Sequence, residues 1–430
     1  MVMAVVAFTA KTVGVRVPYW GEAEVLFDAA RLRAHLPLFV DPLQGAHEAG
    51  EPPSRWYVTY PPLWAFFLSL TPSSSALVVG RVVSSFAWLG ALFGLALPNR
   101  RLTAFACAAY VGGSWVLANF ATVARPDSVA CALAAWGLGR ALAKGRIDWL
   151  SAVLLSLAPW VKPTLLGLPA GAFLGDLVAR RSGKPIAVAC AVTVSLVIVF
   201  ELASHGMLFV GLARSNAQPL SFDAWLEHVP SRLPFFLPVF ALALVAALRA
   251  RVPLATGALV GSISWTLVAL AKIGSASNYW MEPCIASVAV IAFAPPTSFE
   301  VMKGPLWQAA LSLVAVLYAG VATVRASWSN PYAEEAAFVR TLPALCHGVV
   351  ASDEAGIELA TNGRILLPTY QFSYLVKSGA FPAQVWRDDI RQASCFVEHT
   401  GQLPAEVRNG LVFRPIVEHG TYRVFSVASP

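Results

Sequence analysis

Apolar runs recur along the chain up to about residue 325 and are separated by short polar breaks. A straight transmembrane helix needs roughly 20 apolar residues, and several of the runs approach this length. The pattern predicts eleven transmembrane helices, at residues 2–17, 76–97, 102–121, 127–143, 149–161, 164–178, 185–205, 233–249, 253–271, 278–294 and 305–324. The short pair on either side of Lys162-Pro163-Thr164 also fits one broken helix.

Positive charge alternates between the breaks. Every second break is basic, and these breaks hold Arg100 and Arg101; Arg140, Lys144 and Arg146; Arg180, Arg181 and Lys184; Arg249 and Arg251; and Lys303. Because Lys and Arg concentrate on the cytoplasmic side, the remaining breaks are predicted to lie on the outer face. The predicted outer segments are residues 18–75, 122–126, Lys162, 206–232, 272–277 and the chain after 325.

The composition agrees with a multi-pass membrane protein. Of the 430 residues, 57% are hydrophobic and 13% are charged, whereas about 25% are charged in a soluble domain. The net charge of +7 therefore reports topology first, and it does not indicate a nucleic-acid partner. We expect a bacterial inner (plasma) membrane protein of mainly α fold.

The last hundred residues differ from the rest, because they are more charged and contain alternating, strand-like runs. The strand-like runs are GVVASD, RILLPTY, SCFVEHT, LVFRPIVEHG and TYRVFSVAS. We predict a transmembrane domain at 1–325, whose first outer loop is 18–75, and a small periplasmic α/β domain at 326–430. On the outer face, Cys346 and Cys395 form either a disulfide or two reduced, buried thiols.

The start of the first outer loop carries three acids, Glu22, Glu24 and Asp28, in a chain that otherwise has few charges. Residues 20–34 predict an amphipathic helix, with apolar residues on one side and the acids and arginines elsewhere. The apolar side contains Val25, Leu26, Ala29, Ala30 and Leu32. Such a helix suits the membrane interface. In this interpretation Asp28 is solvated or paired with Arg31.

Other polar residues of the outer breaks are also candidates for a site. Arg125 and Asp127 flank a proline, and Asp127 either complements the dipole of the helix it begins or takes part in binding. Lys162, between two apolar half-helices, either extends to the membrane surface or binds a phosphate. Lys272, Asn278 and Tyr279 precede Glu282, which lies inside an apolar segment and is costly there unless paired.

In these stretches the sequence resembles the GT-C class of integral-membrane glycosyltransferases. It is most similar to the bacterial branch related to protein O-mannosyltransferases and to the lipid A aminoarabinose transferase. The resemblance rests on the acidic first loop, YPPL, ARPDS, KPT and KIGSASNYWMEP, in that order, and spans about residues 18–290.

The resemblance implies transfer of a sugar from a polyprenyl-phosphate donor to a lipid, glycan or protein acceptor, with inversion, at the outer face. Glu22 matches best the first-loop acid that acts as general base on the acceptor hydroxyl, and Glu24 is second. Cations near the leaving phosphate are needed to stabilise its charge. Arg125, Lys162 and Lys272 are the candidates for that role, and Tyr60 is expected to shape the pocket.

Three other classes remain open at this stage, and one of them is a non-catalytic accessory membrane protein. A transporter or flippase of lipid-linked sugars needs similar cations but no base, and an O-antigen ligase or polymerase also uses polyprenyl-linked sugar. Ligases concentrate arginines in a large outer loop, whereas residues 206–232 hold only Arg214 and Arg232. The first loop has no Asp-x-Asp pair, so the sequence does not indicate a required metal ion.

Overall fold

The computed structural model describes residues 2–15, 17–18, 21–36, 38–39, 58, 60–98, 102–180, 182–215, 218–295, 331–366 and 369–428, together with scattered residues between 310 and 324. The predicted helix at 305–324 and much of the predicted loop 18–75 therefore lie outside the described residues. The chain forms two compact units. The first contains Met1–Val13, Gly80–Val199 and Gln218–Ser329, and the second contains Gly14–Val79, Phe200–Ala217 and Asn330–Pro430. The predicted domain boundary at 325/326 stays a prediction.

Helices make up most of the described chain up to residue 295. They are α1 (Val2–Val13), α2 (Glu22–Arg33), α3 (Leu63–Ser69), α4 (Ser73–Ala96), α5 (Leu102–Gly112), α6 (Trp115–Ala121), α7 (Asp127–Lys144), α8 (Trp149–Val161), α9 (Gly167–Arg180), α10 (Lys184–Ala203), α11 (Leu208–Ser215), α12 (Phe222–Ala250), α13 (Pro253–Leu270) and α14 (Met281–Phe293), with a 3₁₀ turn at Ser277–Trp280. Most of the predicted segments are thus helical.

Among the described residues, four helices are long and apolar enough to cross a membrane: α4, α10, α12 and α13. The pair α5–α6 makes a fifth if its two halves, bent by 71°, form one span. The structure therefore has several membrane-spanning helices, and the count of eleven stays a prediction. The predicted break at Lys162 is confirmed, because α8 ends at Val161 and α9 begins at Gly167.

Helix α12 differs most from its prediction. It begins at Phe222 rather than at residue 233, so the predicted loop 206–232 holds α11 and the start of α12. The Ser221 side chain accepts a hydrogen bond from the N–H of Ala224, which caps the helix. Three prolines interrupt the backbone hydrogen bonds inside the helix, at Pro230, Pro234 and Pro238. The predicted start at 233 lies after the first of these prolines, whereas Pro234 and Pro238 fall inside the predicted helix as well.

Helices α9 and α13 pack with their backbones in contact, because glycines line both surfaces. Gly167, Gly171 and Gly175 recur every fourth residue on α9, and Gly257 and Gly261 do so on α13. Small residues at this spacing let two membrane helices approach closely. A Cβ atom added to Gly171 would lie 2.1 Å from the carbonyl oxygen of Gly257. The backbone of α13 blocks any side chain at this position.

We expect the substitution Gly171→Ala to destabilise the folded protein by at least ~1–3 kcal/mol, the usual range for overpacking a tight core. The clash is with backbone, so a side-chain rotation cannot relieve it. The midpoint of thermal unfolding in detergent measures the effect. Gly183→Ala is the matched control, because no atom lies within 4 Å of its added Cβ. Equal midpoints for the two variants would contradict the close packing.

The C-terminal region of the second unit is an α/β fold built on one four-stranded sheet. Its strands are β1 (Val350–Ser352), β2 (Cys395–Glu398), β3 (Val412–His419) and β4 (Tyr422–Ala428), and its helices are α15 (Pro331–Val339), α16 (Leu342–Cys346), α17 (Ala355–Asn362), α18 (Thr369–Lys377), α19 (Ala383–Arg391) and α20 (Ala405–Arg408). The strand order is β1-β2-β4-β3, with β1 parallel to β2 and the other pairs antiparallel. The predicted small C-terminal sheet is therefore present.

One of the five predicted strands is wrong. Arg364 to Leu366 in RILLPTY lie in a loop, and α18 begins at Thr369. The backbone N–H of Leu366 donates to Oε2 of Glu358 at 2.8 Å, and Oε1 of the same carboxylate accepts from the N–H of Ser352. The Glu358 side chain thus accepts the hydrogen bond that a neighbouring strand would accept in a sheet.

Successive residues of β2 point into different core clusters, as the alternation of a strand requires. Phe396 lies in a cluster with Phe372, Phe381 and Trp386. Cys395 and Val397 lie in the cluster on the other face, which we call the disulfide cluster, with Phe338, Leu342, Cys346, Val350, Ile357, Tyr422 and Val424. Cys346 and Cys395 form a disulfide. Their separation of 49 residues corresponds to about 4 kcal/mol of stabilisation in the chain-entropy description.

Candidate functional site

Asp127, the first residue of α7, lies among hydrogen-bond donors and cations from other segments of the first unit. Its carboxylate forms an ion pair with the ammonium group of Lys162. Oδ1 also accepts a hydrogen bond of 2.5 Å from the side-chain amide of Asn278, and Oδ2 lies 3.4 Å from Nε of Arg125. All four side chains are buried. Buried charges require such pairing, so Asp127 holds the cluster together.

The polar side chains of this cluster lie at points where one helix ends and the next has not yet begun, or in its first residue. Lys162 follows the last residue of α8, and its Nζ lies 5.5 Å from the ring centroid of Tyr279, within cation–π distance. Asn278 and Tyr279 belong to the 3₁₀ turn that precedes α14. The guanidinium carbon of Arg125 lies 5.6 Å from the ring centroid of Phe120. Three breaks between successive helices thus bring the polar residues to one place.

Glu282 is buried in the first turn of α14, where the sequence analysis requires a partner for it. Its carboxylate accepts hydrogen bonds from the backbone N–H groups of Gly167 and Leu168, the latter at 2.5 Å. These N–H groups begin α9 and have no partner within that helix. The positive end of the α9 dipole also stabilises a negative charge. Glu282 therefore caps the second half of the broken helix.

A small pocket opens between these elements. Its lining contains Asp127, Cys131, Lys162, Thr164, Leu165, Asn278, Tyr279 and Glu282. Among the described residues, Oδ1 of Asn278 accepts no hydrogen bond although it is buried. A buried acceptor without a hydrogen-bond donor costs free energy, and a hydroxyl group bound in the pocket would donate a hydrogen bond to this oxygen. The pocket is thus suited to a small, polar, hydrogen-bonding group.

Lys272 follows α13 in the first unit, and its role at a phosphate stays a prediction. It forms a short antiparallel bridge with Leu220, supported by a hydrogen bond from Ser221 N–H to the carbonyl of Ala271 at 2.7 Å. Its side chain is half-buried, and this burial lowers the pKa of the ammonium group to about 8. The described lining of the pocket does not include it.

Glu22 and Glu24 occupy the first turn of α2 in the second unit. Glu22 is 0% exposed and Glu24 is 8% exposed. Acids in this position are favoured by the helix dipole, which is a structural reason for their presence. Burial adds a desolvation free energy that solvated acids do not have, so these two side chains are not ordinary solvated surface residues.

The solvated alternative for Asp28 is wrong. Asp28 and Arg31 are each 2% exposed, whereas Leu26 and Leu32 are half-buried, and the pairing of Asp28 with Arg31 stays a prediction. The helix packs against α3 and against α17. The amphipathic pattern counts only apolar residues as core, and it fails where tertiary contacts enclose charge.

Tyr60 also belongs to the second unit. It is half-buried and lies three residues before α3, the helix of the YPPL motif. Arg33, the last residue of α2, donates hydrogen bonds of 3.3 Å to the carbonyls of Leu68 and Ser69. Those carbonyls end α3, where a cation complements the dipole. The acidic helix and the YPPL helix are therefore held together at this end.

Arg81 is a functional candidate that the sequence analysis misses. It lies within the apolar helix α4, is 0% exposed, and donates a hydrogen bond to the carbonyl of Thr12 near the end of α1. Nearby, the hydroxyl of Ser84 donates to the carbonyl of Arg125 at 3.2 Å. A lone arginine inside an otherwise uncharged apolar run is the signal that would have found it.

The described residues contain no group of three side chains of His, Cys, Asp or Glu arranged to hold a metal ion. The chemistry they offer consists of buried carboxylates, two buried cations beside a carboxylate, and a polar pocket with a tyrosine.

The described residues form a multi-helix membrane protein with a small C-terminal α/β region. The structure resembles that of ArnT from Cupriavidus metallidurans bound to undecaprenyl phosphate, with a TM-score of 0.58 and 10% identity, over 98% of this chain and 96% of that one. Apo ArnT from the same organism gives a TM-score of 0.59 at 10% identity, with the same coverage. At this identity the likeness is one of fold, and it confirms the predicted resemblance at that level.

A weaker likeness is to the arabinofuranosyltransferase AftD from Mycobacteria, with a TM-score of 0.48 and 15% identity, over 100% of this chain and 40% of that one. No family model and no curated protein matches the chain by sequence.

Proposed function

We propose that the chain is a membrane glycosyltransferase that transfers a sugar from a polyprenyl-phosphate donor to a lipid, glycan or protein acceptor. The observation that carries the proposal is the fold shared with ArnT along almost the whole of both chains. ArnT has been seen bound to undecaprenyl phosphate, and a donor of the same chemical class is proposed for this chain. Each unit contains groups of the kind that we propose for such a reaction: the second has the buried acids of α2, and the first has the polar pocket at Asp127.

In the proposed reaction, Glu22 takes the proton of an acceptor hydroxyl as its oxygen bonds to the anomeric carbon of the sugar. The bond from that carbon to the phosphate oxygen breaks at the same time, so the configuration inverts and polyprenyl phosphate leaves with the bonding electrons. Glu24 is the second candidate for the base. Tyr60, in the same unit, is proposed to shape the acceptor side.

The roles at the polar pocket are also proposals, refined by its geometry. Arg125 and Lys162 bring two positive charges and Asp127 brings one negative charge, so these three groups retain one positive charge. A leaving phosphate is stabilised by such an excess. Both cations are paired with Asp127, Lys162 more closely than Arg125, and both are proposed to contact the phosphate. Asn278 and Tyr279 are proposed to bind sugar hydroxyls. Glu282, which caps α9 and also lines the pocket, is proposed to support this binding.

We further propose that the chain crosses the inner membrane eleven times and that its C-terminal α/β region is periplasmic. The alternation of basic and non-basic breaks supports this topology. The disulfide is also in keeping with an oxidising compartment.

The purified protein is expected to transfer labelled sugar from a polyprenyl-phosphate sugar to an acceptor in bacterial membrane extracts. The measurement is label in the acceptor fraction, with release of one polyprenyl phosphate for each sugar moved. Boiled protein is the control. Donor binding without transfer to any acceptor would contradict the proposal and favour a transporter of lipid-linked sugar.

A further inference from the structure

The segment that leads into α2 rests on the C-terminal α/β region within the second unit. Val17 packs against the disulfide cluster. The next residue, Pro18, is buried, and its carbonyl oxygen lies so close to Gly356 that an added Cβ there would be 2.3 Å from it. Gly356 is the second residue of α17. Side chains are thus excluded at the point where this segment and α17 meet.

The contact continues from this segment into α2 itself. Helix α2 packs against α17, and it begins at Glu22, only four residues after Pro18. Glu22 and Glu24 are in the first turn of α2, so they lie at its end nearest to Pro18. A shift of Pro18 therefore moves the first turn of α2 more directly than a shift at any distant point of the chain.

Glu354 connects the same end of α17 with the acids of α2. Its side chain caps α17 by accepting a hydrogen bond of 3.4 Å from the N–H of Gly356. Burial, together with the smaller effect of the negative charges of Asp353, Glu24 and Glu335, raises the pKa of Glu354 to about 8. Tyr422 also faces this group. Glu354 is therefore largely protonated at neutral pH, which avoids one more buried negative charge beside Glu24.

We propose that the C-terminal α/β region positions the first-loop carboxylates: the start of α17, through Gly356 and Glu354, fixes the first turn of α2 and with it Glu22 and Glu24. The inference rests on the proposed function for its catalytic consequence. The mechanical contact itself does not depend on that function. Gly356 and Glu354 act here through α2, so they are positioning residues.

The first test is Gly356→Ala, whose added methyl group must displace Pro18 or α17. We expect faster hydrogen–deuterium exchange in peptides covering residues 22–33, with unchanged exchange in β2 and β4. We also expect kcat to fall about ten- to a hundredfold with the donor KM unchanged, because displacing a reacting group by about 1 Å can cost a hundredfold. Gly410→Ala is the matched control, since its Cβ meets only the side chain of Arg387.

The second test is Glu354→Gln, which keeps an acceptor for the N–H of Gly356. In the native protein Glu354 binds a proton up to about pH 8, whereas an exposed glutamate loses it near 4.5. The equilibrium constant for separating α2 from α17 therefore increases by up to tenfold per pH unit between about pH 5 and 8. Above pH 8 it levels off. Exchange of residues 22–33, corrected for its intrinsic pH dependence, is expected to show this slope in the native protein but not in the variant.

These measurements separate the two proposals. Unchanged exchange in α2 for Gly356→Ala, or the same effect in Gly410→Ala, would overturn the positioning role. An altered exchange together with no transfer by the native protein would leave the positioning contact in place and contradict the proposed function. Altered exchange with an unchanged kcat would show that the contact does not position the base.

Discussion

Replacing Glu22 by Gln is expected to lower kcat for sugar transfer by about 10²–10⁴-fold, the range in which general bases contribute. The amide keeps the shape of the side chain but cannot accept the proton of the acceptor hydroxyl. Since Glu22 is fully buried at the first turn of α2, an isosteric change is the least disruptive one available. The measurement is single-turnover transfer of labelled sugar, with folding checked by gel filtration.

Glu24→Gln is the comparison that decides between the two acids. Residues two apart on an α-helix are separated by about 200°, so Glu22 and Glu24 point to opposite sides of α2. Only one of them can therefore face the acceptor, and we expect the loss at position 24 to be the smaller. Glu227→Gln, an exposed carboxylate on α12, is the control. Full activity in both first-loop variants would show that neither acid is the base.

Separating Asp127 from Lys162 is expected to have the largest effect on stability. Removing one partner of a buried ion pair leaves the other charge uncompensated, which costs about 3–5 kcal/mol. Asp127→Asn and Lys162→Met should each lower the free energy of unfolding by this amount, measured by denaturant titration in detergent. The double variant should recover part of it, because the charges of Asp127 and Lys162 are both removed, while the buried Arg125 keeps its charge without Asp127.

The double variant also separates a structural role from a binding role. If the pair serves only to hold the helix breaks together, the double variant retains transfer activity. We expect instead that the double variant is inactive and binds the donor more weakly. Asp388→Asn is the matched control, because its ion pair with Arg391 is exposed and worth less than about 1 kcal/mol. A change of similar size in that control would contradict the special cost of the buried pair.

Several elements follow directly from local patterns in the sequence. Helix α8 has the predicted bounds of 149–161, and α7 and α13 each differ from theirs by one residue. Uninterrupted apolar runs between charged breaks predict such helices well, because the run itself is what a membrane helix requires. The small sheet is also predictable, since alternating runs define all four of its strands.

The grouping of the polar residues was predictable only in part. Topology placed the breaks with Arg125, Lys162 and Asn278 on one face, and the structure brings them to Asp127. The same argument included Lys272, which does not line the described pocket and whose role stays a prediction. A shared side of the membrane narrows the choice of residues, but it does not specify which of them touch.

The sequence by itself determined the helical, membrane-spanning class, the breaks in the helices, the C-terminal sheet and the candidate residues, because these depend on local composition and spacing. Only the tertiary structure decided that Asp127 pairs with Lys162, that Glu282 caps α9 and that α2 buries its acids against α3 and α17. The physical reason is that a buried charge must find its partner at short range. The packing of distant segments, including the glycine contact of α9 with α13, supplies that partner.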